Sequence, residues 1–307
     1  MKAPKASYYD VAWPNEGTIA AAVLGNDPTY RIDVLSADDG QLLQSVPVQV
    51  RTRDDCPLRV FNGLSALDNR LTFGDTCSQG SYSDQVVSAF SYDPASGDLV
   101  DLGLLADRPL SMSWNQAGDK LVYTAGSDLC ETTFERTTTS DGPINVNVTA
   151  QGSAFSIGEN VPASAERCTE RGNSRQAVFA PDDQTLAVFV SAGGGSNYGP
   201  ARDDLPWAIA IVDGVSSKVI LDGIVSPGGL AWQAEDKLIF SGSVSGTYGL
   251  WSVRSDGSGL IQIGTDAIVD FALSPDKKHL AGLVLNDGFT EDPVDLDVRV
   301  YLYDLGP

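Results

Sequence analysis

FALSPDKKHLAGLV, residues 271–284, sets two apolar runs on either side of the polar segment Ser274-Pro275-Asp276-Lys277-Lys278. Proline and aspartate favour a tight reversal, and an aliphatic run after it reads as the second strand of a hairpin. The same order recurs along the chain. AVFAPDDQTLAVFV (177–190), MSWNQAGDKLVYTAG (112–126), LAWQAEDKLIFSGS (230–243) and VAWPNEGTIAAAV (11–23) share it, and RVFNGLSALDNRLTFGD (59–75) is a looser copy. Anchored on the first aliphatic residue after the turn, the copies fall at Ile19, Leu71, Leu121, Leu186, Leu238 and Leu280, in steps of 52, 50, 65, 52 and 42 residues. A period of about fifty with hairpin spacing predicts propeller blades, because helical repeats of that length would space apolar residues at i, i+3 and i+4.

The segments that follow each hairpin complete a four-stranded unit. Residues 229–264 show it best: GLAW, KLIFSGS, GLWSVRSDGSG and LIQIG, with Asp256-Gly257 at a reversal. DVLSADDGQLL (33–43), FSYDPASGDLV (90–100) and IAIVDGVSSKVI (209–220) repeat that third-strand ending. The phrase SPD-x-K-x-L-A at 274–281, echoed by APDDQTLA at 180–187 and followed by strands ending in Asp-Gly, resembles the WD40-like repeats of TolB-type β-propellers. The expected fold is an all-β, six-bladed β-propeller with four-stranded antiparallel blades. It forms one domain over 1–307, with blades at about 9–50, 56–105, 107–165, 174–223, 226–264 and 267–306. Blades two and three lose the SPD turn and are expected to be irregular. The resemblance implies a fold more than an activity, since the family includes sensor domains, docking scaffolds, the gating propellers of peptidases and a few enzymes.

The charge balance narrows the partners. Against 20 basic residues stand 41 acidic ones, a formal net charge of −21. Nucleic acid and anionic lipid are excluded as expected partners, because both are recognised by basic surfaces. No apolar run approaches the roughly 20 residues that span a bilayer, so no membrane insertion is expected. MKAPKASYYD, at the start, has two lysines but lacks the apolar region of an export signal.

The propeller topology gives the four cysteines a common face. Cys56 precedes the first strand of blade two and Cys77 follows its second, while Cys130 follows the second strand of blade three and Cys168 precedes the first of blade four. Of three possible connectivities, Cys56 with Cys77 and Cys130 with Cys168 is the most economical. Two disulfides imply an oxidising compartment, so the chain is expected to be extracytoplasmic. Metal binding by these cysteines would need C-x-x-C spacing or nearby histidines, and the chain has no such spacing and a single histidine, His279.

That face also carries the long connections. Residues 150–174 bring Arg171, with Arg175 just beyond, and SAGGGSNYGPARDDLPW brings Tyr198, Arg202, Asp203, Asp204 and Trp207. Loops held on a rigid scaffold are where ligands dock, and Arg, Tyr and Trp are the types enriched at binding hot spots. These seven residues are the expected binding set, for a protein, a peptide or a small carboxylate ligand.

Residues for catalysis are sparse. His279 is the one histidine and falls at the exposed start of a strand, so no Ser-His-Asp triad is expected. GSVSG (242–246) has valine where a nucleophile elbow needs serine, and GGGSN (193–197) lacks the lysine of a phosphate loop. Asp287, Glu291, Asp292, Asp295 and Asp297 could gather calcium but lack EF-hand spacing, and Asn147-Val148-Thr149 is a glycosylation sequon. No cofactor is therefore expected, with calcium as the alternative.

The leading expectation is a non-catalytic sensor or docking domain. Its alternative is a carboxylate- and metal-dependent hydrolase of the lactonase kind, needing acids at first-strand starts, where Asp10, Asp107 and Asp270 stand. The last blade lacks a fourth strand, so residues 4–8 are expected either to pair beside 298–303 or to leave that edge open.

Overall fold

The repeated turn is held by its own side chains. In FALSPDKKHLAGLV the N–H of Ser274 donates to the His279 carbonyl at 2.9 Å, and the N–H of Lys277 donates to the Ser274 carbonyl at 2.8 Å. Ser274 Oγ accepts the His279 N–H at 2.9 Å, while Asp276 Oδ1 accepts the Ser274 hydroxyl at 2.6 Å and the Lys278 N–H at 3.1 Å. The same backbone pattern closes 115–120 and 180–185. At the matching position Gly118, Asp183 and Lys277 have φ of 69°, 60° and 60°, the left-handed conformation that ends a reversal. Elsewhere the pairs Asn15 with Thr18, Leu67 with Arg70 and Ala234 with Lys237 leave two-residue loops. Asp68 and Asn69 take φ of 50° and 64°, the type I′ geometry that Asx residues tolerate.

The computed structural model describes residues 7–24, 30–50, 56, 58–78, 85–105, 109, 111–125, 128–137, 145–149, 173–191, 207–213, 216–285 and 298–306. Among them every regular element is a strand. The first sheet is β1 (Ser7–Asn15), β2 (Thr18–Leu24), β3 (Tyr30–Ser36) and β4 (Leu42–Val48), in that order. A second is β5 (Leu58–Leu67), β6 (Arg70–Ser78), β7 (Gln85–Tyr92) and β8 (Leu99–Leu104), and a third is β9 (Ser111–Trp114), β10 (Lys120–Ala125), β11 (Asp128–Thr137) and β12 (Asn145–Thr149). The second and third sheets each hold four strands, and the second is irregular in register between Asn62 and Leu64 and between Ala89 and Phe90. Asp68-Asn69 supplies one turn, and in the other Asn115 Oδ1 accepts the N–H groups of Asp119 and Lys120, the work that Ser274 does in 271–284.

An eight-stranded sheet follows. It holds β13 (Asn173–Phe179), β14 (Thr185–Ser191), β15 (Trp207–Asp213) and β16 (Ser216–Val225), then β17 (Leu230–Ala234), β18 (Lys237–Val244), β19 (Thr247–Arg254) and β20 (Ile261–Gly264). Its halves are stitched by Ile224 and Val225 of β16 pairing with Val244 and Ser243 of β18. The last sheet is β21 (Ile268–Leu273), β22 (His279–Leu285) and β23 (Val298–Asp304).

Packing closes a ring. The first strands β1, β5, β9, β13, β17 and β21 adjoin in that order, and β21 returns against β1. Apolar clusters fill each seam. Ile32, Phe61, Phe73 and Phe90 join the first two sheets, and Leu102, Met112 and Tyr123 join the second and third. Val122 packs with Val188 and Val212, Phe189 with Trp232 and Phe240, and Ile239 with Phe271 and Leu280. Tyr8, Val11 and Ile19 meet Ala281, Leu283 and Val298 at the last seam. Each such side chain contributes about 1.5–3 kcal/mol on burial, so the seams stabilise what no hairpin could hold alone. Ser7 and Tyr8 pair with Leu24 and Val23 inside the first sheet, so of the two closures expected for residues 7 and 8 the pairing beside β23 does not occur; residues 4–6 lie outside the described residues.

One seam carries a polar tie. Asp183 Oδ1 and Oδ2 accept the N–H groups of Gln116 at 2.5 Å and Ala117 at 3.1 Å, linking two neighbouring turns. Asp183→Ala is expected to lower stability by about 1 kcal/mol, read as a Tm decrease of about 2–4 °C in a thermal melt. Asp183→Asn keeps an acceptor and is expected to lose less.

Candidate functional site

The inner strands are irregular at one level. Register shifts fall between Tyr8 and Asp10 on β1, Asn62 and Leu64 on β5, Ser174 and Ala177 on β13, and Ile268 and Asp270 on β21. An extra residue on one strand of a pair bends it and re-aims its side chains. Gly63 shows why this level is crowded. Its φ is 57°, and a Cβ there would lie 2.7 Å from Met112 Cγ.

Those bulges bring charges from distant parts of the chain together. Asp10 Oδ2 accepts the N–H of Leu64 at 2.6 Å and its Oδ1 accepts the N–H of Val11 at 2.9 Å. The Asp10 carboxyl also hydrogen-bonds Asp270, and the Arg175 guanidinium acts on Asp270 from β13. Burial, and then the neighbouring charge of Asp270, push Asp10 well above the usual carboxylate range. Burial pushes Asp270 up to about 6, against the opposing pull of the Phe271 N–H, Arg175 and Asp10. Both carboxyls are thus held above the ordinary carboxylate range, and being in contact they lose their protons as a pair. Thr124, fully buried, donates to the Arg175 carbonyl at 2.7 Å and lies 3.1 Å from the Ser111 hydroxyl, which fixes the start of β13.

A second buried carboxylate braces the first sheet. Asp33 accepts from the Tyr8 hydroxyl at 3.0 Å and the Ser45 hydroxyl, and pairs with Arg31 at 3.2 Å, so β1, β3 and β4 are tied together. Burial and the Asp33 charge raise the Tyr8 phenol, which stays protonated as the donor. No motif in the sequence pointed to this network.

Asp10, Arg175 and Asp270 all lie near the starts of first strands, on the face from which those strands enter the ring. The Cys56–Cys77 disulfide forms on the same side, with Cα atoms 5.5 Å apart, as the sequence predicts. Cys168 and the side chain of Cys130 lie outside the described residues, as do Arg171, Tyr198, Arg202, Asp203, Asp204, Asp107 and the acidic segment Asp287 to Asp297. Trp207 opens β15 and is 5% exposed, packed among Phe189, Ile209 and Phe240, so its ring serves the core. His279 is exposed, with Nδ1 3.8 Å from Asp276. GSVSG is the end of β18 and its turn into β19, where Ser245 and Gly246 have φ of 51° and 80°.

No family model matches the sequence, and no curated protein matches it. Solved structures do match in fold. TolB from Acinetobacter baumannii superposes with a TM-score of 0.55 at 13% identity, over 94% of this chain and 61% of that one. Hydrazine synthase of Kuenenia stuttgartiensis gives 0.50 at 12% identity, over 92% of this chain and 94% of that one. The β-propeller domain of the trilobed protease from Pyrococcus furiosus gives 0.47 at 11% identity, over 98% and 83%. The chain spans less than two thirds of the TolB chain. At 13% and 12% identity the likeness to TolB and to hydrazine synthase is one of fold, and that to TolB agrees with the ring of antiparallel sheets: the chain is a β-propeller similar in fold to TolB.

Proposed function

We propose that the chain is a non-catalytic, extracytoplasmic binding propeller, whose docking face is the one from which the first strands enter the ring. It has six blades on WD40-like repeats, with β13–β16 and β17–β20 as two blades of the eight-stranded sheet. The observation that carries this reading is the bulged level holding Asp10, Asp270 and Arg175. Two carboxyls buried against each other destabilise a fold, and such an arrangement persists where a ligand uses it. Two carboxyls that both hold their protons to higher pH than usual, with the Arg175 guanidinium acting on one of them, make a mouth less acidic than two ordinary aspartates would, on a molecule of net charge −21. That mouth suits a partner bearing carboxylates, such as an acidic peptide, and the sequence adds Arg171, Tyr198, Arg202, Asp203 and Asp204 as the expected contact residues. The buried disulfide supports an oxidising compartment.

Calorimetric titration with an oligoglutamate peptide and with a small dicarboxylate tests the reading. Arg175→Ala, and the pair Tyr198→Ala with Arg202→Ala, are expected to weaken binding at least tenfold, about 1.4 kcal/mol, with Tm unchanged for the loop pair. Lys277→Ala with Lys278→Ala, on the opposite face, is expected to change nothing. The reverse pattern would reject the chosen face.

The meeting of Asp10 with Asp270 favours a second reading, a carboxylate- and metal-dependent hydrolase with calcium at this level. Calcium heats that vanish in Asp270→Asn would support it, and their absence from the native chain would reject it.

A further inference from the structure

We propose that the outer edge of β23 is a docking edge for an extended segment of a partner protein that alternates apolar and basic residues. The hydrogen-bonding phase of the last sheet follows from one contact. Leu305 N–H donates to the Lys278 carbonyl at 2.8 Å, next in register to the pair His279 with Asp304. Hydrogen-bonded and non-bonded pairs alternate in an antiparallel ladder, so Tyr303, Tyr301 and Arg299 turn their backbone groups towards β22. Val300, Leu302 and Asp304 turn theirs outward, and no strand pairs with them among the described residues.

Each other third strand, β3, β7, β11, β15 and β19, is paired on that side by a fourth. Proteins blunt open edges with proline, lysine or a bulge. β23 has neither residue and no register shift over Val298–Asp304. Its side chains also suit an added strand. Val300 and Leu302 are half-buried against the cluster around Tyr8 and Val11, while Tyr301 on the other side is 41% exposed. Apolar side chains of an added strand would finish covering the first pair.

Charge selects the rest of the segment. On the alternate face, that of Tyr301 and Tyr303, the edge ends at Asp266, which accepts the Tyr303 hydroxyl at 2.7 Å, and the molecule carries −21. Backbone groups supply the affinity of strand addition and alternate side chains supply the specificity, so basic residues fit the alternate positions.

The test uses the full chain and a synthetic peptide of about eight residues alternating valine and lysine, a usual strand length. Binding is read by fluorescence anisotropy and by amide hydrogen exchange. The amides of Val300 and Leu302 are expected to exchange freely alone and to gain at least tenfold protection with peptide, while a valine–glutamate peptide binds at least tenfold more weakly. Val300→Pro and Leu302→Pro each remove one outward N–H and leave the bonds to β22, so each is expected to weaken binding at least tenfold. If either variant misfolds, exchange on the native chain decides alone. Unprotected Val300 and Leu302 amides with peptide bound would overturn the proposal. Protection already present in dilute protein would assign the edge to the chain's own residues, and protection that grows with protein concentration alone would assign it to a second copy; either overturns a partner strand.

Discussion

Replacing Cys56 and Cys77 together by alanine lowers the unfolding free energy by about 3 kcal/mol, the cost in chain entropy of opening a loop of this length. The two residues are 21 apart in sequence, so the bridge restricts a long stretch of the unfolded chain while asking little of the folded one. Both are buried, at 1% and 4% exposure, so the bridge forms part of the packed seam at the start of the second sheet. The corresponding Tm decrease is about 6–12 °C by thermal melt. The double variant and the native chain should melt alike when both are fully reduced. Alkylation of the unreduced protein should leave both residues unmodified, and a native chain whose melting is indifferent to reductant would remove this bridge and the support it gives to an oxidising compartment.

Asp270→Asn raises stability at neutral pH, by on the order of 2 kcal/mol, and removes a pH dependence the native chain carries. The sign follows from burial. Asp270 titrates near 6 in the fold against an ordinary value of 3.8, and Asp10 is raised as well, so between pH 4 and about 6 the folded chain holds protons that the unfolded chain has released. Stability from this pair is therefore fully present below pH 4 and is lost as pH rises, the share of Asp270 through about 6 and that of Asp10 through its own raised value. Arg175 and the N–H groups of Leu64 and Phe271 are the groups facing the pair that oppose this loss, and they do not cancel it. The difference between variant and native chain, read from chemical unfolding at several pH values, should be largest above pH 7 and close towards pH 4. A difference that is constant with pH would mean that the fold does not raise the Asp270 carboxyl.

Much of the scaffold was legible because its determinants are local. In 271–284, Ser274, Asp276 and His279 form the turn almost entirely from their own groups, and the matching turns at 115–120 and 180–185 lie where the pattern placed them. Where SPD is lost, other short sequences make the same reversal: Asp68-Asn69 does it by tolerating positive φ, and Asn115 by its side-chain oxygen. Trp207 also read differently from its place in the fold. An aromatic residue ending a polar loop resembles a contact residue in sequence, yet as the first residue of β15 it points into a seam.

Repeat spacing, turn chemistry and strand pattern determined by themselves that this chain is an all-β propeller, since each depends on residues within a few positions of one another. The cysteine pairing at Cys56 and Cys77 followed from that topology. Tertiary structure alone decided that Asp10 and Asp270, named among the strand-start acids, meet and are both held above the ordinary carboxylate range, with Arg175 acting on Asp270. It also decided that Asp33 is held by Tyr8, Arg31 and Ser45, and that Asp183 reaches the neighbouring turn. These contacts join residues as many as 260 positions apart. They depend on which inner strands adjoin and where each bulges, and those are set by packing at the seams, which no local pattern encodes.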